Sequence, residues 1–206
     1  MTDDLFPNSA LLERLRIEDA EISFARHLTL SDSDDALLRK LIDETPWRSE
    51  KITLWGKTHL QPRLIAWYGD EGQRYSYSGI SLEPLPWTST LLGIREVVQA
   101  FSNECFNSVL LNFYRDHRDR MGLHSDDERE LGPTPTIASF SLGATRTFVL
   151  THKNRSDAKS VRIELPTGSL LIMKGRTQQN WKHGIDKQTK PCGPRVNLTF
   201  RRIYPT

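Results

Sequence analysis

Apolar residues recur along this chain at two different spacings, and the change from one to the other divides it. In DALLRKLIDET, residues 35–45, Leu37, Leu38, Leu41 and Ile42 recur at helical spacing, which predicts an amphipathic helix capped by Asp35. In STLLGIREVVQAFSNEC, residues 89–105, the stripe Leu91, Leu92, Ile94, Val97, Val98 and Phe101 predicts a second helix, weakened by Gly93. Beyond it the period falls to two. SVLLNFYRD, TIASFSLGATRTFVL, SVRIEL, GSLLIMKG and RVNLTFRRI read as strands, separated by Gly, Pro and charged turns. Helices first and many strands afterwards predict an α+β fold whose strands form a sandwich or jelly roll.

Two of these strands carry polar residues on one face. In RVNLTFR, Arg195, Asn197, Thr199 and Arg201 fall on one side, while Val196, Leu198 and Phe200 fall on the other. In LLNFYR, Asn112 and Tyr114 share a face opposite Leu111 and Phe113. Such faces ordinarily meet water. Turned inward, two arginines with an amide and a hydroxyl would make a receptor for a dicarboxylate, because a guanidinium pairs with a carboxylate through two charge-assisted hydrogen bonds.

The segment between these strands adds a candidate metal site. In HSD, His124 and Asp126 lie two residues apart, so in extended backbone both point the same way. An HxD triplet alone is also what a solvated turn contains. His183, in NWKHGI, offers a third ligand from a distant strand. Two imidazoles and one carboxylate on one face of a metal leave its other positions open, an arrangement suited to non-haem Fe(II) and oxygen chemistry.

Composition narrows the setting. The 206 residues contain no linker-like stretch, repeat or low-complexity tract, so one domain is expected from residue 21 to 206, after an extension at 1–20. The two cysteines, Cys105 and Cys192, are far apart without metal-site spacing, which suits a reducing cytoplasm. The acidic opening MTDDLFPNSA is no secretory signal, and no apolar run approaches membrane-spanning length. A cytoplasmic monomer is expected, nuclear in a eukaryote. A formal net charge of +2 is compatible with a nucleic-acid partner without demanding one.

The run NFYRD, GLHSDDE, IASFSLGATRTF, LPTGSLLIM, WKH and PRVNLTFR resembles the AlkB family of Fe(II)- and 2-oxoglutarate-dependent dioxygenases over residues 22–205. The resemblance implies a double-stranded β-helix core with iron held by His124, Asp126 and His183. It implies 2-oxoglutarate held by Asn112, Tyr114, Arg195, Asn197, Thr199 and Arg201. Arg201 would then pair with the distal carboxylate, and Arg195 would lie nearer the metal-chelating end. The implied activity is oxidative dealkylation of 1-methyladenine and 3-methylcytosine in single- or double-stranded DNA. The same chemistry on RNA, hydroxylation of a protein or small molecule, a zinc hydrolase and an inactive nucleic-acid-binding jelly roll are the alternatives.

On the substrate side, a base within a duplex must be flipped out before it can react, and a flipped base leaves a gap that proteins fill with apolar side chains. KITLWGKTHLQPR resembles the damage-searching hairpin of the family's duplex-DNA branch, with Trp55 in the wedge position and Lys57 beside it for phosphate. Anchoring the hairpin to the core is the other role open to Trp55. The stretch of about residues 50–80 would form a nucleotide-recognition lid. Within it Tyr75 and Tyr77 share a face, as a base clamp or as surface tyrosines, and Arg63 resembles a contact to the damaged strand. Glu128 resembles the carboxylate that meets the exocyclic amino group of the flipped base. Asp127 either touches the nucleotide backbone or faces water. The basic residues of THKNRSDAKSVR make a plausible grip for a DNA strand or a solvated hairpin tip.

Overall fold

In the computed structural model of the protein, the alternating strand RVNLTFR runs through the middle of a sheet, and its two faces look into two different cores. The structure describes residues 12–54, 57–72, 75–77, 80–82 and 84–204, with side chains described outside 51–59 and 73–83. The elements are β1 (Glu13–Leu15), β2 (Glu21–Ala25), α1 (Asp34–Glu44), β3 (Lys51–Leu54), β4 (Lys57–Leu60), β5 (Leu64–Gly69), β6 (Tyr75–Tyr77), β7 (Ile80–Leu82) and α2 (Ser89–Ser102). They continue with β8 (Ser108–Tyr114), β9 (Met121–His124), β10 (Ile137–Gly143), β11 (Arg146–His152), β12 (Val161–Leu165), β13 (Leu170–Lys174), α3 (Thr177–Asn180), β14 (Trp181–Ile185) and β15 (Arg195–Arg201).

A seven-stranded sheet has the order β1-β2-β13-β10-β15-β8-β5, and a four-stranded sheet has the order β12-β11-β14-β9. The pairings within both are antiparallel. This mixture of helices and two antiparallel sheets is consistent with a jelly roll. The hairpins β3–β4 and β6–β7 form two small sheets apart from these. β1 pairs with β2 through Glu13, Arg14 and Leu15, so the folded unit begins ahead of residue 21.

One core lies between the large sheet and the helices. Val196, Leu198 and Phe200 pack there with Leu37 and Leu41 of α1 and with Leu91, Ile94 and Val98 of α2. The other lies between the two sheets, where Leu110, Tyr114, Ile137 and Leu171 meet Phe148, Leu150, Leu165 and Ile185. Because β15 is covered on both sides, its polar residues cannot face water. All of Arg195, Asn197, Thr199 and Arg201 are buried on the inter-sheet side.

Two local expectations change. The first helix is capped by Ser33, whose hydroxyl accepts from the Ala36 amide at 3.3 Å, and Asp35 sits inside the first turn. A hydroxyl reaches back to that amide, and the acidic first turn suits the helix dipole. TIASFSLGATRTFVL is two strands, not one. The chain crosses from the large sheet to the small one at Gly143, where φ is +93° and any side chain would collide with the Pro194 carbonyl. The Ala144 amide donates to that same carbonyl at 2.9 Å, which holds the corner against the start of β15.

Candidate active site

His124 and His183 come together because β9 and β14 are neighbours and these two residues are directly paired across them. The close approach needs Gly184, since a β-carbon there would press on the Met121 carbonyl. Their rings meet edge to face at 4.4 Å between centroids, and Phe148 stacks on His183 at 5.2 Å. Asp126 completes the group: the three ligand atoms all lie within 4.8 Å of one another.

Each ligand is held from behind. The Nδ1–H of His124 donates to the Gly122 carbonyl at 3.0 Å, an assignment forced by an acceptor that cannot donate. That tautomer leaves Nε2 with its lone pair facing Asp126 at 4.0 Å, while Nε2 of His183 lies 3.7 Å from the other carboxylate oxygen. The Asp126 amide donates to Oε1 of the buried Gln178 at 3.0 Å, and the hydroxyl of Ser125 donates to the Trp181 carbonyl at 2.9 Å. Burial pushes the His183 imidazolium down to about 3, so His183 is a neutral ring. Burial acts the other way on Asp126, but the guanidinium of Arg201, hydrogen-bonded to the carboxylate, outweighs it and the carboxyl lies at about 2. Two neutral imidazoles and one carboxylate, with Oδ2 of Asp126 lacking a hydrogen-bond partner among the described residues, form a donor set that fits Fe(II).

The same cavity extends along β15. Asn112, Tyr114, Arg195, Asn197, Thr199 and Arg201 all line it together with the three candidate ligands. Asn197 is fixed by donating to Ser139 Oγ at 2.8 Å and to the Phe140 carbonyl at 2.9 Å, and Thr199 donates to its Oδ1 at 3.0 Å. Arg195 is 1% exposed and donates one bond, to Ser141 at 3.0 Å. Among the described residues its Nε and its other terminal nitrogen have no hydrogen-bond partner. Burial without an anion lowers the guanidinium to about 10. A buried fork with idle donors is what a carboxylate would satisfy, so these residues fit the far end of 2-oxoglutarate.

The order of the two arginines is the reverse of the one expected. Arg201 donates to Oδ1 of Asp126 at 2.7 Å and belongs to the metal end. Arg195 is paired across the sheet with Tyr114, lies 5.0 Å from the centre of its ring, and belongs to the far end. The face of a strand follows from alternation, but which end of it meets the metal depends on how β15 is threaded through the sheet.

Arg63 is 4% exposed, and its Nε donates to Asn112 Oδ1 at 2.8 Å, so it braces a cavity residue. Asp127 is exposed and receives a 2.9 Å bond from Lys153, and Arg155 is engaged with Glu18 and Asp157. Two basic residues of the expected strand grip are therefore already paired. Glu128 is half-buried at the start of the 3-10 turn Arg129–Leu131, outside the cavity lining. Trp55 and the side chains of Lys57, Tyr75 and Tyr77 lie outside the described residues.

Sequence reasoning did not reach Ser139, Ser141, Gln178 or Arg146. The serines alternate with Phe140 and Leu142 just as the polar residues of β15 alternate with apolar ones, so the same argument would have found them. Gln178 carries no local signal. Among the described residues no helix is long and apolar enough to cross a membrane, and both cysteines are unpaired.

Comparison with known proteins agrees with this geometry. Residues 23–201 match the family described as the 2OG-Fe(II) oxygenase superfamily. The chain is 42% identical over 179 residues to alpha-ketoglutarate-dependent dioxygenase alkB homolog 3 of Mus musculus, covering 83% of this chain and 62% of that protein. It is 40% identical over 201 residues to DNA oxidative demethylase ALKBH2 of Homo sapiens, covering 93% and 77%. The solved structure of OsALKBH1 superposes with a TM-score of 0.62 at 19% identity, covering 93% of this chain and 100% of that one, a likeness of fold.

Proposed function

Since this chain belongs to the AlkB family of the 2OG-Fe(II) oxygenase superfamily and is a dioxygenase using Fe(II) and 2-oxoglutarate, we propose that it removes alkyl groups from the nitrogens of bases in DNA. The observation that carries the reading is one cavity with a His-Asp-His group at one end and the idle guanidinium of Arg195 at the other. Fe(II) and 2-oxoglutarate, when bound, would let O2 act as the oxidant: one of its oxygen atoms would end in succinate, formed with CO2, and the other in the hydroxylated alkyl group, which would depart as an aldehyde. His124, Asp126 and His183 would hold the metal. Arg195 with Tyr114 would hold the distal carboxylate, and Arg201 braces Asp126. The protein's part is orientation and exclusion of water.

The substrate assignment draws support from the relatives, two of which are named as a DNA oxidative demethylase and an alkB homolog. The segment of about residues 50–80 would serve as the nucleotide lid, with Trp55 as wedge, Lys57 on phosphate, and Tyr75 and Tyr77 against the flipped base. Glu128 would accept the hydrogen bond of the base's exocyclic amino group. The enzyme would act as a monomer.

The test is succinate and formaldehyde release with Fe(II), 2-oxoglutarate and one methylated sequence supplied as single-stranded DNA, duplex DNA or RNA. Turnover on either DNA exceeding turnover on RNA is expected, and turnover on RNA alone would overturn the substrate. Trp55→Ala should lower duplex repair about tenfold, the effect of losing one base-stacking contact, and change single-strand repair much less. An equal fall on both would make Trp55 an anchor of its hairpin.

A further inference from the structure

Behind the far end of the cavity lies a second buried arginine that the proposed reaction leaves unused. Arg146 begins β11 in the small sheet and is 0% exposed. One terminal nitrogen donates to the Asp119 carbonyl at 2.7 Å and the Asp186 carbonyl at 2.6 Å, and the other donates to the Asp116 carbonyl at 3.3 Å. Its guanidinium lies 5.5 Å from the centre of the Tyr114 ring, while Arg195, from the large sheet, lies 5.0 Å from the same ring. The two sheets thus bring two guanidiniums to one tyrosine.

The charge of Arg146 is not cancelled locally. The carboxylate of Asp119 turns to Arg115, at 2.8 and 2.9 Å, and that of Asp116 turns to Arg118. It is their backbone carbonyls that accept from Arg146. Among the described residues no carboxylate pairs with Arg146. Carbonyl dipoles satisfy the two terminal nitrogens, Nε has no hydrogen-bond partner among the described residues, and the positive charge stays in a low-dielectric interior, where it acts over a longer range than at the surface.

We propose that Arg146 is a positioning residue for the dicarboxylate end of the cavity: it ties two loops behind Tyr114 and adds its charge to that of Arg195, so that the site selects 2-oxo acids carrying a second carboxylate. This rests on the reading of Arg195 as the receptor for the distal carboxylate. Arg146 itself does not line the cavity, so it acts through Tyr114 and Arg195.

The experiment is equilibrium binding by calorimetry to the Mn(II)-loaded protein, comparing 2-oxoglutarate with 2-oxobutyrate, which lacks the distal carboxylate. Arg146→Met should weaken 2-oxoglutarate about tenfold, the scale of one charge-assisted interaction, and leave 2-oxobutyrate unchanged. Equal weakening of both acids, or of neither, would overturn the proposal. If Arg146→Met does not fold, Arg146→Lys decides. An ammonium keeps the charge but cannot span three carbonyls, so 2-oxoglutarate should still weaken severalfold with 2-oxobutyrate unchanged. Unchanged affinity for both would then refute it. Arg195→Met separates the two readings: if that variant keeps the preference for 2-oxoglutarate, the receptor assignment itself has failed. If it loses the preference while Arg146→Met keeps it, only the role of Arg146 has failed.

Discussion

At the metal end of the cavity the carboxylate of Asp126 sits among Arg201, His124 and His183, whereas at the far end Arg195 and Arg146 share the space around Tyr114 without a carboxylate. Both ends are buried, and both are built from strands of the two facing sheets. They differ in what is left undone. The first is balanced by its own residues and keeps free lone pairs, which suits a cation. The second is left with idle donors and uncancelled positive charge, which suits an anion. The lesson is that a buried charge without a partner points to a ligand when its neighbours' charges are turned away from it, as those of Asp116 and Asp119 are.

The comparison breaks most sharply at Asp126. Asp126→Ala should abolish metal binding by calorimetry. It also leaves Arg201 buried without its carboxylate, so chemical denaturation should show a loss of about 3–5 kcal/mol. A variant of wild-type stability would mean that the pair with Arg201 contributes little to the fold. At the other end, Arg195→Ala should weaken 2-oxoglutarate binding by about 2–5 kcal/mol, because the distal carboxylate loses its fork. Its effect on folding should be much smaller, since no internal anion is stranded. Equal losses of binding and folding stability would erase the distinction between the ends.

Arg201→Lys should lower metal affinity roughly 10–100-fold by loosening Asp126, with a lesser change in 2-oxoglutarate affinity at saturating metal. A larger effect on 2-oxoglutarate than on metal would return Arg201 to the distal end. The smallest effect is expected at the rim. Lys153→Ala removes an exposed pair with Asp127 and should change stability by no more than about 1 kcal/mol.

Local sequence determined a good deal here. Alternation along a pleated strand is a property of two successive residues, so the shared polar face of RVNLTFR and the shared direction of His124 and Asp126 were legible without a fold, while the burial of that face was not. Helical spacing was equally legible in α1 and α2, apart from the cap at Ser33. Tertiary structure alone decided which distant residues meet. The pairing of β9 with β14 sets His183 opposite His124, and the threading of β15 puts Arg201 beside the metal ligands and Arg195 beside Tyr114. The same holds for Arg63, drawn inward to Asn112, and for Arg146, whose three acceptors come from loops 27 to 40 residues away. Periodicity reports only the face that a residue occupies. The partner across that face is chosen by strand order and register, which depend on the whole chain closing around its two cores.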